Sequence, residues 1–139
     1  MFLNIKSCLL VLFLLLGFIF LITEKAFSQE IDLESYDPNT EIILKGEIKE
    51  IIIPEQGMVS IIISKGEKLY RAYLCPRWFY FQLNPNLKPG EMVEIKGAKI
   101  YTRRQGLVLV VRVLKNLTTK EEVVIRDFNC KPCWRGKRW

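Results

Sequence analysis

Short stretches in which apolar and polar residues alternate fill most of the chain from Glu41 onward, and turn sequences separate them. The first stretch is the clearest, because Ile42 and Leu44 fall on one side of it and Lys45 on the other. A period of two residues is typical of a strand with one face in a core and one in solvent. The pattern therefore predicts an all-β domain, with strands at residues 41–53, 58–64, 69–75, 91–101, 107–115 and 122–127.

One segment interrupts this pattern and indicates the fold. Residues 76–83 show no alternation, and Pro76 is suited to the first turn of a short helix. Three strands, a short connector helix and two further strands follow each other in the order of the OB fold, a five-stranded Greek-key barrel. We therefore predict an OB-fold-like barrel over residues 41–127, with a connector helix between strands three and four. Another small barrel, such as an SH3-like one, is the alternative.

Glycines inside two predicted strands suggest how such a barrel closes. Gly46 lies within the long first strand and Gly97 within the fourth. Glycine inside a strand is typical of a β-bulge or a sharp bend. We expect a bulge or bend at Gly46, which lets one strand serve both halves of the barrel, and a similar role for Gly97.

The first 28 residues have the pattern of a secretory signal peptide. Lys6 precedes an uncharged apolar run at residues 8–22. Ala26 and Ser28 are small residues at the two positions that a signal peptidase recognises before its cleavage site. The run is short for a membrane span, which needs about 20 apolar residues. We expect cleavage after Ser28, a flexible lead-in at residues 29–40, and a periplasmic or secreted domain. An uncleaved N-terminal membrane anchor is the alternative.

Composition excludes several classes of chemistry. The chain has 139 residues, which is enough for one domain, and its formal net charge is +6. It contains no histidine, which excludes Ser-His-Asp and Cys-His catalysis, His-ligated zinc and haem held by a protein histidine. No pair of carboxylates stands in a pattern that general acid–base catalysis would need. We therefore expect no enzyme and no cofactor.

Three cysteines remain after the predicted cleavage, and two of them form a C-x-x-C motif at Cys130 and Cys133. A thioredoxin-like redox pair needs a βαβ unit, which the chain does not show. A zinc site normally has four ligands, and Cys75 would bring the thiolates only to three. We predict a structural disulfide that includes Cys130 or Cys133, with a redox or metal-binding role as the alternative. The residues 128–139 that carry this motif form a Cys-, Trp- and Arg-rich tail.

Aromatic and basic side chains are the candidates for binding a ligand. The aromatic segment that begins at Trp78 either stacks on a ligand or plugs one end of the barrel. Basic residues lie on the third predicted strand and in the loop between strands four and five, one of the usual ligand-binding loops of OB barrels. The predicted binding residues are Arg71, Tyr73, Trp78, Arg103 and Arg104.

Two motifs resemble those of a known group of proteins. Residues 88–97, KPGEMVEIKG, are similar to the start of the fourth strand in many OB domains. The tail from Arg126 to Gly136 resembles the RD-x-x-G-x-P-x-W-x-G ending of small, secreted bacterial OB-fold-like proteins, except that Cys130 replaces the glycine. The resemblance covers residues 41–136 and implies the OB-like fold, but it implies no catalytic residues.

These observations predict a secreted or periplasmic OB-like binding or accessory module. Its expected partner is an envelope protein or an anionic ligand, because basic side chains attract acidic groups. A thiol-dependent role at Cys130 and Cys133 is one alternative and oligonucleotide binding is another, although a periplasmic location argues against nucleic acid. Contact with a membrane is expected only through residues 1–28, if they are retained.

The export prediction is open to a direct test. We expect the protein isolated from the cell envelope to begin at Gln29, because small residues stand at the third and the first positions before the predicted cleavage site, Ala26 and Ser28. The intact mass measures this directly. A mass that still includes the residues from Met1 to Ser28 would contradict cleavage and support the anchor.

Overall fold

The computed structural model describes residues 5–22 and 36–135, which belong to two separate compact units. In the first unit, the apolar run forms helix α1 (Ile5–Ile22). Among the described residues, no helix combines the length and the apolar character needed to cross a membrane. The predicted cleavage site after Ser28 lies outside the described residues, as does the last residue of the tail, Trp139.

The second unit is the predicted barrel. Its elements are a short 3-10 helix (Pro38–Thr40), β1 (Glu41–Ile52), β2 (Met58–Lys65), β3 (Lys68–Pro76), α2 (Arg77–Leu83), β4 (Met92–Thr102), β5 (Gly106–Asn116) and β6 (Glu122–Val124). The strands pair in the order β3-β2-β1-β4-β5-β6, and a parallel pairing of β3 with β5 closes the first five into a barrel. This is the OB arrangement, with β6 added beside β5, so the predicted fold is confirmed.

Strand β1 is shared between the two halves of the barrel. Its first half pairs with β4 and its second half with β2, and Glu47 pairs with both. Gly46 lies at this junction, and a Cβ atom there would overlap the Ile63 side chain and the Ser64 carbonyl oxygen. The glycine is therefore required by the close approach of β2.

Of the two features expected at Gly46, the bulge lies elsewhere in β1. The register of β1 against β2 shifts between Ile48 and Glu50, so the extra residue is Lys49. A Cβ at Gly97 would come within 2.6 Å of the Val110 carbonyl oxygen. The β4–β5 register shifts at this glycine, but the extra residue is Arg112 on β5, so the bulge lies opposite Gly97 and not in β4 itself.

The core lies inside the barrel and is built by the alternating residues of the strands. Helix α2 closes one end, because Phe79 and Tyr80 point into the core. The tail contributes Trp134, which packs against the same cluster. The buried strand residues in this cluster include Leu44, Ile48, Val59, Ile61, Ile63, Ala72, Leu74, Val93, Ile95, Leu109, Val111 and Leu114.

The close approach at Gly46 generates a stability prediction. We expect Gly46→Val to lower the free energy of unfolding by about 3 kcal/mol, because a side chain would have to push β1 and β2 apart. Thermal or urea unfolding measures the change. Gly66→Asn is the matched control, since Gly66 has open space around it and Asn tolerates its φ of +62°. Equal stability of the two variants would contradict the role assigned to Gly46.

Candidate functional site

Helix α2 divides the aromatic segment between the core and the surface. Phe79 and Tyr80 are buried, whereas Trp78 and Phe81 keep 49% and 55% of their surface exposed. A helix turns about 100° per residue, so four consecutive rings cannot all face one side. Phe79 and Tyr80 therefore close the barrel, whereas ligand binding by Trp78 and Phe81 stays a prediction.

The two exposed rings line an open groove of about 420 Å³. One wall is the loop between β1 and β2, where the Gly57 carbonyl accepts a hydrogen bond of 3.2 Å from the Arg77 backbone N–H. The Arg77 guanidinium lies over the Phe81 ring, 5.4 Å from its centroid. The groove is lined by Glu55, Gln56, Gly57, Met58, Pro76, Arg77, Trp78 and Phe81.

A second surface lies on the outer face of β2 and β3, around Arg71. The Arg71 guanidinium stands 5.0 Å from the centroid of the Tyr73 ring. Its Nε donates a hydrogen bond of 3.1 Å to Ser60 Oγ on the neighbouring strand. The Tyr73 hydroxyl donates a hydrogen bond of 2.7 Å to Gln105 Oε1, which connects β3 to the loop between β4 and β5.

Arg103 and Arg104 are exposed in that same loop, next to Gln105. Strands β3 and β5 run parallel, with Arg71 opposite Val108, so both strands begin at the same end of the barrel. The loop between β4 and β5 is therefore close to the turn between β2 and β3. From Ile95 to Lys120 the chain carries no Asp or Glu, but it carries Lys96, Lys99, Arg103, Arg104, Arg112, Lys115 and Lys120.

The structure thus divides the predicted binding residues between two surfaces. Arg71 and Tyr73 form one cluster beside the loop that carries Arg103 and Arg104, and Trp78 belongs to the groove on α2. Tyr73 is 6% exposed, so it supports Arg71 instead of offering its own ring to a ligand. Sequence analysis missed Ser60, Gln105 and Met58, because their positions depend on pairings between distant segments.

The tail is held against the barrel by a buried arginine. Arg126 is fully buried, and its guanidinium lies 5.3 Å from the Tyr36 ring centroid and 5.6 Å from that of Trp134. Its Nη1 donates a hydrogen bond of 3.0 Å to the carbonyl oxygen of Cys130. The Trp134 ring also lies 5.9 Å from the Phe79 ring. These contacts bring both ends of the domain together around one cation.

An ion pair links Arg112 on β5 to Glu41 at the start of β1. Arg112 donates two hydrogen bonds to the Glu41 carboxylate, of 2.8 Å and 3.0 Å. These bonds hold the pKa of Glu41 below its ordinary value. Tyr36 donates a hydrogen bond to the same carboxylate, and burial raises the pKa of the Tyr36 hydroxyl. The pair therefore stays charged at neutral pH and fixes the path of the chain into β1.

The predicted disulfide is not found, because Cys75, Cys130 and Cys133 form no bridge within the part of the chain that the structure describes. Cys75 is buried in the core, where burial raises its pKa to about 12 and leaves the thiol unreactive at neutral pH. Within residues 5–22 and 36–135, no three Cys, Asp or Glu side chains come together as metal ligands. The tail is attached by Arg126 and Trp134, so its attachment needs no covalent crosslink.

Cys130 has a backbone conformation that favours glycine. Its φ is +63°, and its N–H donates a hydrogen bond of 2.9 Å to the Asp127 carbonyl in a tight turn. A residue with a Cβ is strained in this region, which explains why a glycine suits this position of the turn. The cysteine therefore occupies a turn position that does not require a thiol.

Comparisons with known proteins give a family match and likenesses to solved structures. The model of the MamS/MamX magnetosome protein family matches residues 42–120, which is more than half of the chain. This match spans β1 to β5 and ends before the tail motif at Arg126. Among solved structures, the crystal structure of the S. pombe Stn1-Ten1 complex matches with 18% identity and a TM-score of 0.47, over 60% of this chain and 69% of that one. No curated protein sequence matches the chain.

The geometry of Cys130 predicts the effect of two substitutions. We expect Cys130→Gly to raise the free energy of unfolding by about 0.5–1 kcal/mol, because glycine removes the strain at positive φ. Cys130→Ala keeps the strain and removes only the thiol, so we expect it to stay within about 0.5 kcal/mol of the wild type. Urea unfolding without reductant measures both. A loss of about 2 kcal/mol or more in both variants would contradict this account and restore the disulfide.

Proposed function

The chain belongs to the MamS/MamX magnetosome protein family, and we propose that it serves there as a small non-catalytic binding module. In this proposal, the groove beside Trp78 holds a segment of a partner protein. The observation that carries the proposal is the pair of half-exposed rings, Trp78 and Phe81, which line an open groove with Met58.

The exposure of these rings supports a role in binding. Burying a large aromatic side chain contributes most of the favourable free energy in many interfaces, and Trp is common at their centres. The opposite face of α2 is already buried through Phe79 and Tyr80, so Trp78 and Phe81 are not needed to fill the barrel. Their position beside the loop between β1 and β2 forms a concave surface instead of isolated exposed rings.

The walls of the groove indicate the chemistry of the partner segment. The apolar surface of Met58, Trp78 and Phe81 suits an apolar or aromatic side chain. Arg77 lies beside this surface and carries a positive charge, which favours an acidic residue next to the apolar one. We therefore assign to the groove an extended protein segment with an apolar anchor and a neighbouring carboxylate.

The proposal also includes a location. Residues 1–28 have the pattern of an export signal, and the family belongs to the magnetosome. We propose that the barrel acts outside the cytoplasm, either free after cleavage or held at a membrane by the retained N-terminal segment. In both cases its partner would be another protein of that compartment.

Site-specific photocrosslinking in the native cell tests the proposal. We expect a photoreactive phenylalanine at Phe81 to give a discrete crosslinked protein, and the same probe at Phe128 to give none. Phe128 is the matched control, because it is 86% exposed and lies in the tail. Trp78→Ala should reduce the crosslink from position 81 at least about tenfold, since truncating a central aromatic typically weakens binding by that much.

Two results would overturn the groove as the binding site. One is the same crosslinked protein from both probe positions, which would indicate nonspecific contact. The other is a crosslink from position 81 that persists when Trp78 is replaced, although the variant retains the wild-type melting temperature.

A further inference from the structure

We propose that Arg71 is the centre of a binding site for a phosphate group, on the outer face of β2 and β3. This site lies apart from the groove on α2 and does not depend on it. Three observations carry the proposal. Ser60 and Tyr73 hold the Arg71 guanidinium in place, its two terminal nitrogens remain available for a ligand, and the basic loop between β4 and β5 lies beside it.

The orientation of Arg71 is fixed by the protein. Ser60 accepts a hydrogen bond from Nε, and the buried Tyr73 ring supports one face of the guanidinium. Tyr73 is itself held by its hydrogen bond to Gln105. A flexible arginine loses side-chain entropy when it binds an anion, but one that is held in place beforehand loses less.

The outer part of the guanidinium remains available. Within the part of the chain that the structure describes, Nη1 and Nη2 of Arg71 donate to no protein group, and the residue is only half-buried. These two nitrogens form the planar fork that binds two oxygens of one anion at the same time. An arginine that served only to stabilise the sheet would be expected to use them in contacts with the protein.

The surroundings favour an anion with more than one negative charge. The loop between β4 and β5 places Arg103 and Arg104 beside Gln105, which Tyr73 holds close to Arg71. The turn between β2 and β3 adds Lys65 and Lys68 at the same end of the barrel, against one acidic residue, Glu67. Several cations around one fork suit a phosphate, whose charge exceeds that of a carboxylate near neutral pH.

A phosphate group can belong to a lipid headgroup or to a soluble compound, and two probes distinguish these sources. The full chain, labelled with ¹⁵N, is kept in non-ionic dodecyl maltoside micelles and titrated with inorganic phosphate. A second titration uses a short-chain phosphatidylglycerol. We expect saturable shifts of the backbone amide signals of Tyr73 and Gln105 with at least one probe. The probe with the higher affinity identifies the source.

Matched arginine-to-lysine variants test the assignment to Arg71. Arg71→Lys keeps the charge but removes the fork, and we expect it to weaken binding about tenfold. Arg77→Lys makes the same change in the groove and should bind as the wild type does. The double variant Arg103→Gln with Arg104→Gln should weaken binding several-fold while Arg71 is intact. Phe81→Ala should leave the binding unchanged, so this site can be tested even if the groove proposal fails.

Either of two results would overturn the proposal. The first is the absence of a saturable shift with both probes. The second is equal affinity of the wild type and Arg71→Lys, in a variant whose other amide signals show that the barrel is intact. If Arg71→Lys disturbs the fold, the double loop variant decides the question, and unchanged affinity in that variant then rejects the site.

Discussion

The path of β1 depends on Gly46, where β2 comes so close that no side chain would fit. Close to this position, the pairing partner of β1 changes from β4 to β2. Without this close approach, the second half of β1 could not lie against β2, and the loop that follows β1 would not form a wall of the groove. The order of the strands around the barrel therefore depends on a residue that contributes no side chain.

The strands and their order were predictable because the alternation of apolar and polar residues is a local property. Pro76 and the loss of alternation after it also marked the connector helix. The position of the bulge was not predictable, because a glycine that a neighbouring strand requires has the same appearance in a sequence as a glycine in a bulge. Only the register shows that Lys49 is the extra residue.

The candidate sites were predictable only in part. Arg71 and Trp78 were identified from residue type, but the sequence does not show that they belong to different surfaces. Tyr73 was expected to meet a ligand, yet it is buried against Arg71 and bonded to Gln105, a residue that lies beyond β4 in the chain. The short spacing of Cys130 and Cys133 favoured a bridge, but spacing along the chain carries no information about the left-handed turn at Cys130.

The position of Arg126 has a consequence for the timing of folding. Its two aromatic neighbours, Tyr36 and Trp134, come from opposite ends of the domain, and β1 likewise needs β4 before its first half is paired. Contacts between segments so distant along the chain form late, because long loops must close first. The barrel therefore cannot reach its final structure before Trp134 has left the ribosome. Any recognition of the N-terminal segment during synthesis takes place on a chain that is still unfolded.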